Sequence, residues 1–111
     1  YRNLNTPKVV INKQEKLLYA SRAPIPSNKD KAFVKAWRQV CVYAFPKKKL
    51  DIFSQYKKKT YLESLEDIEY LRFLELGIEV RTVKMSKMSL PVDTPEDVIL
   101  VKNMISKLGL N

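Results

Sequence analysis

The chain has 111 residues, 45% of them hydrophobic, which suits one packed domain with a single core and excludes a disordered tail. It contains no histidine, two glycines and one cysteine; that excludes Ser-His-Asp triads, His-based zinc sites and Gly-rich phosphate loops. Cys41 has no partner for an internal disulfide, which fits a reducing cytosol, and a net charge of +9 favours anionic partners, whether a small substrate or a nucleic acid.

No apolar run approaches the roughly 20 residues that span a bilayer. The first residues, Tyr1-Arg2-Asn3-Leu4-Asn5-Thr6-Pro7, carry no apolar signal segment and no initiator Met, and read as a cut inside a longer chain. Lys8-Val9-Val10-Ile11 and Leu17-Leu18-Tyr19-Ala20, with polar Asn12 to Lys16 between them, predict a hairpin. Pro24 and Pro26 keep the next segment extended. Residues 28–35 are polar and read as loop or a short helical turn.

Gln39-Val40-Cys41-Val42-Tyr43-Ala44-Phe45 is apolar at nearly every position and predicts a strand covered on both faces. Pro46 ends it and opens a helix through Tyr56. Thr60 and Glu63 form a capping box. Behind it Leu62, Leu65, Ile68, Leu71 and Leu74 or Leu76 make one helical stripe, and Gly77 ends that helix. Glu66, Arg72 and Glu75 read as its charged outer face. Ile78-Glu79-Val80-Arg81-Thr82-Val83 alternates as a strand does. Thr94 and Pro95 begin a last helix, with Val98, Leu100, Val101, Met104, Ile105 and Leu108 on its apolar face. The order predicts an α/β fold: one domain, a mixed and partly parallel sheet, and flanking helices. Lys47-Lys48-Lys49 and Lys57-Lys58-Lys59 are either solvated helix ends or a nucleic-acid patch.

Ligands of open α/β sheets lie beyond the carboxyl ends of strands. That points to the end of the Tyr43 strand and to residues 89–97. Asp93 precedes a helix N-terminus, where it either assists the cap or offers a carboxylate to a hard cation such as Mg²⁺. Arg22, at the end of a strand, is either a surface arginine or a fork for carboxylate or phosphate. Tyr43 reads as core unless it falls on the strand's last exposed turn. Glu69, among apolar helix positions, reads as solvated.

Four ordered blocks resemble the C-terminal half of the 3-deoxy-manno-octulosonate cytidylyltransferase (CMP-KDO synthetase) family. They are Lys8-Val9-Val10 through Ser21-Arg22-Ala23-Pro24-Ile25-Pro26, then Val42-Tyr43-Ala44-Phe45, then Leu62-Glu63 through Glu69-Tyr70-Leu71-Arg72, then Val92-Asp93-Thr94-Pro95-Glu96-Asp97-Val98. The resemblance implies a Rossmann-like nucleotide-diphosphosugar transferase fold and a homodimer. It implies a reaction in which the anomeric hydroxyl of an acidic sugar attacks the α-phosphate of CTP, giving CMP-sugar and pyrophosphate with Mg²⁺. It makes Asp93 the metal-binding catalytic residue and puts Arg22, Tyr43 and Glu69 against the sugar or the phosphates. The chain departs from the family at Gln39 (usually histidine), at Tyr70 (usually glutamine) and at Ala44-Phe45 (often Gly-Tyr), so a related eight- or nine-carbon acidic sugar is an alternative substrate. The expectation is a sugar-binding, dimer-forming half without the nucleotide-binding half, inactive alone and cytoplasmic. The competing expectation is a small basic nucleic-acid-binding module.

Overall fold

The computed structural model describes residues 1–85 and 92–109. Three strands, β1 (Lys8–Ile11), β2 (Leu17–Ser21) and β3 (Trp37–Arg38), lie in the order β2-β1-β3. Four helices follow: α1 (Lys47–Gln55), α2 (Tyr61–Glu66), α3 (Leu71–Glu75) and α4 (Pro95–Leu108).

The predicted hairpin is β1 and β2, paired antiparallel from Lys8↔Ser21 to Ile11↔Leu17, with a bulge between Val10 and Ile11. Asn12 builds its turn. The Asn12 Oδ1 accepts from the backbone N–H of Gln14 at 3.0 Å and of Lys16 at 2.9 Å, which lets Glu15 take a left-handed φ of 60°. The α/β class stands, but both pairings among the described residues are antiparallel. The expected parallel component is missing there because β3 returns to β1 through loop, not through a crossover helix.

Only Trp37 and Arg38 of the second strand region pair with β1. The predicted strand over residues 39–45 is irregular chain instead, bent at Cys41 with Val42 N–H donating to Val40 O at 2.7 Å, and Val42 is 81% exposed. Its apolar composition asks for a covering layer on both faces, and no strand among the described residues flanks it. The alternating 78–83 segment makes only partial pairing: Leu17 N–H donates to Val80 O and Thr82 N–H to Glu15 O, each at 2.8 Å.

The single helix expected from Thr60 to Gly77 is two. Its capping box is present at Thr60 and Glu63, and Gly77 has a φ of +74°. Between them, Asp67 turns left-handed (φ 52°) and closes α2. Arg22 is the cause. Its Nε donates to Glu66 O at 2.6 Å and its Nη2 to Asp67 O at 3.1 Å. These are carbonyls a continuing helix would need for its own N–H groups. The break puts Glu69 in an exposed turn, not on a helix.

The core joins Val9, Leu17 and Ala20 of the hairpin to Ile68, Tyr70, Leu71 and Phe73. Arg72 and Glu63, expected on a charged surface or at a cap, are 8% and 1% exposed. Arg72 donates Nε and Nη2 to the two Glu63 oxygens, each at 2.7 Å. Its Nη1 reaches Phe53 O and Tyr56 O, and its guanidinium stacks 3.8 Å from the Phe53 ring centroid. One side chain thus ties α1 to α2 and α3.

Candidate active site

Glu66 fixes the end of β2 against α2. Its carboxylate accepts from Ser21 Oγ at 2.6 Å, Arg22 N–H at 2.9 Å and Tyr19 Oη at 3.3 Å. Burial pushes its pKa up, but the bonds from Ser21, Arg22 and Tyr19 outweigh that and hold it below the ordinary value. Read from sequence as outer-face charge, Glu66 is instead what places Arg22. The Arg22 Nη1 also donates to Leu4 O at 3.2 Å. Its Nε/Nη2 edge is therefore already engaged with protein, and the side chain works first as a scaffold.

α4 opens with the predicted cap. Thr94 Oγ1 accepts from Asp97 N–H at 3.3 Å, and Asp97 Oδ2 accepts from the N–H groups of Thr94 at 2.9 Å and Asp93 at 3.0 Å. Those backbone bonds keep the Asp97 pKa low. The cap is complete without the Asp93 carboxylate, which is exposed just ahead of the helix. Residues 89–91 of the stretch singled out beside it lie outside the described residues.

Tyr43 stands on this irregular segment, 46% exposed, with its ring 5.7 Å from Tyr70 and 6.0 Å from Phe45. Partial burial, Cys41 and Glu69 together push its pKa up to about 12. The four residues named from sequence, Arg22, Tyr43, Glu69 and Asp93, line one cleft of about 560 Å³. Gln39 and Arg38 share it. Arg38 carried no local signal, because its place follows from the β1–β3 pairing.

The cleft fits a hard cation only in part. Asp93, Glu69 and Asp67 all line it, but Asp67 is ion-paired to Lys59 at 2.5 Å. Among the described residues no three acidic, cysteine or histidine side chains gather around one point. One carboxylate plus substrate phosphate oxygens and water is nevertheless a donor set that Mg²⁺ accepts. Asp93 is the residue here that would supply it.

The three-stranded sheet with flanking helices is consistent with a fragment of an α/β nucleotidyltransferase fold. It superposes on a solved structure of CMP:2-keto-3-deoxy-manno-octonic acid synthetase complexed with CTP, with a TM-score of 0.80 and 30% identity over 95% of this chain and 43% of that one. It is 37% identical to the 3-deoxy-manno-octulosonate cytidylyltransferase of Christiangramia forsetii over 94% of its length, and 39% identical to that of Chloroherpeton thalassium over 95%. The chain spans 42% and 43% of those two relatives, which is their C-terminal half. The resemblance read from four sequence blocks is borne out along the whole chain. No family model matches it. No helix among the described residues is long and apolar enough to cross a membrane.

Proposed function

We propose that this chain is the sugar-side half of a cytidylyltransferase that couples CTP to an acidic sugar, 3-deoxy-manno-octulosonate or a close eight- or nine-carbon relative. The observation that carries this is the convergence of Arg22, Tyr43, Glu69 and Asp93, spread over 71 positions of sequence, on one cleft. In this reading the anomeric oxygen of the sugar forms a bond to the α-phosphorus of CTP and pyrophosphate leaves. Bound Mg²⁺ supplies charge neutralisation at the phosphates. Asp93, exposed just ahead of α4, would hold that ion, with substrate phosphate oxygens and water completing its donor set. Glu69 and the Tyr43 hydroxyl orient the sugar hydroxyls, and Arg22 holds the turn on which Glu69 sits. With two glycines and no phosphate loop, the triphosphate is held by residues outside this chain, so the chain alone does not turn over. The exposed side chains of Val42, Tyr43 and Phe45 support pairing as a dimer, readable by light scattering.

The test is a chimera in which these 111 residues replace the matching part of the Chloroherpeton thalassium protein. Given CTP, 3-deoxy-manno-octulosonate and Mg²⁺, the chimera releases pyrophosphate and the isolated chain does not. A folded chimera that stays inactive with every acidic sugar offered refutes the assignment.

A further inference from the structure

A second cleft, of about 370 Å³, adjoins the first, and Thr6 and Arg38 stand in the walls of both. Its size is at the small end of ligand pockets, which run from about 300 to 1,000 Å³. Tyr1, Phe33 and Trp37 give it three aromatic walls, and none of them lines the first cleft. Tyr1 is pinned, because its hydroxyl donates to Pro26 O at 2.6 Å and to Pro24 O at 3.2 Å. Arg2 Nη2 donates to Lys31 O at 2.8 Å and holds the neighbouring loop. Phe33 rests on the Tyr1 ring, with centroids 4.7 Å apart, yet is 59% exposed. A phenyl ring held in place but open to water gains from a flat ligand that covers it.

The same cleft is cationic. Lys8 in its wall is 2% exposed, and its ammonium donates to Asn3 O at 2.7 Å and Arg22 O at 2.5 Å. None of the ion pairs among the described residues includes it. Burial, then the Arg22 charge, push its pKa down against a weaker pull from Glu66, so an anion nearby would relieve an uncompensated charge. The Lys35 and Lys84 ammonium groups lie 5.1 Å and 5.3 Å from the centroid of the Trp37 ring. Lys84 also pairs with Glu15 at 3.4 Å. Asp97 is the one acid among the described lining residues, and its Oδ2 already accepts from two backbone N–H groups. The balance of charge favours an anion.

We propose that this second cleft is a ligand site in its own right, which takes a small anion bearing a planar ring, of the nucleoside monophosphate class, with the ring stacked on Phe33 and the phosphate drawn by Lys8 and the lysines at Trp37. Aromatic faces beside cations are the combination that holds a base and its phosphate. The site is independent of the sugar reading, and a chain that binds no sugar acid leaves it standing.

Trp37 is the single tryptophan of the chain and lines the cleft, so its indole N–H resonance reads occupancy. AMP titrated into the isotope-labelled 111-residue chain at low salt shifts that resonance saturably. Adenosine and inorganic phosphate, titrated separately, each bind at least roughly tenfold more weakly, because each lacks one half of the contact. Phe33→Ala, at an exposed ring, weakens AMP about fivefold or more. Lys35→Gln weakens it about two- to fivefold. Tyr43→Ala, in the first cleft, leaves AMP binding unchanged. An unshifted indole overturns the assignment, as does phosphate binding as tightly as AMP, which is attraction to charge alone. Equal affinity in Phe33→Ala with a native backbone spectrum, or loss of binding in Tyr43→Ala, overturns it too. A single-stranded oligonucleotide that binds roughly a hundredfold tighter than AMP makes this face a nucleic-acid surface and equally overturns it.

Discussion

Arg72→Ala tests the packing that holds the cleft wall in place. The substitution strips the Glu63 carboxylate, 1% exposed, of both its bonds to the guanidinium. It also frees the carbonyls of Phe53 and Tyr56 and removes the cation over the Phe53 ring. Leaving one partner of a buried ion pair unpaired costs about 3–5 kcal/mol. The extra carbonyl and ring contacts are part of one network, so their individual values of about 1 kcal/mol do not simply add. Against a total stability of about 5–15 kcal/mol, the loss brings the fold near its threshold. Urea unfolding followed by Trp37 fluorescence reads it. The double variant Glu63→Leu with Arg72→Met regains most of the loss, because apolar groups of similar volume carry no unpaired charge. A cost below about 1 kcal/mol for Arg72→Ala refutes the reasoning, since that is the range of an exposed pair.

The same pair sets a pH dependence. The hydrogen bond from Arg72 holds the Glu63 carboxyl below its ordinary value of 4.5, against the opposing effect of burial. The unfolded chain therefore takes up that proton first as the pH falls. The stabilisation is complete above about pH 4.5 and is lost as the pH drops through the lower folded value; an advantage of the native chain over Glu63→Gln that persists unchanged to the lowest pH contradicts this. Lys59→Ala, at an exposed pair, leaves the urea midpoint essentially unchanged in the same assay, because solvent screens the pair. Gly77→Ala costs about 1 kcal/mol through its φ of +74° alone, because nothing lies within 4 Å of the added carbon. Thr94→Ala costs about 1 kcal/mol by removing the cap of α4, and faster amide exchange at Asp97 marks the loss.

What the sequence made legible was local. Asn12 to Lys16 between two β-branched or aliphatic runs gives the hairpin, and the Thr60–Glu63 box and the Thr94-Pro95 start give two helix starts to the residue. What stayed hidden was long-range. The stripe Leu62, Leu65, Ile68, Leu71 runs unbroken through Asp67, and nothing in it shows that Arg22, 44 positions upstream, takes the Glu66 carbonyl. Leu65 of that stripe is 64% exposed. Arg72 read as a surface charge and Glu63 only as a cap residue because their spacing of nine fits no local pairing; only the break between α2 and α3 turns them face to face. The run from Gln39 to Phe45 was read as a strand from apolarity alone, and apolarity records a need for cover without naming a neighbour. The four candidate site residues came from the resemblance; that they share a cleft is a matter of the fold.

The central claim places Asp93 at the metal. Asp93→Asn and Asp67→Asn, made separately in the chimera, test it directly, since both residues line the cleft and asparagine is tolerated at the left-handed Asp67 position. The account predicts that Asp93→Asn abolishes pyrophosphate release while Asp67→Asn leaves it largely intact. Normal release by Asp93→Asn, with loss confined to Asp67→Asn, contradicts it.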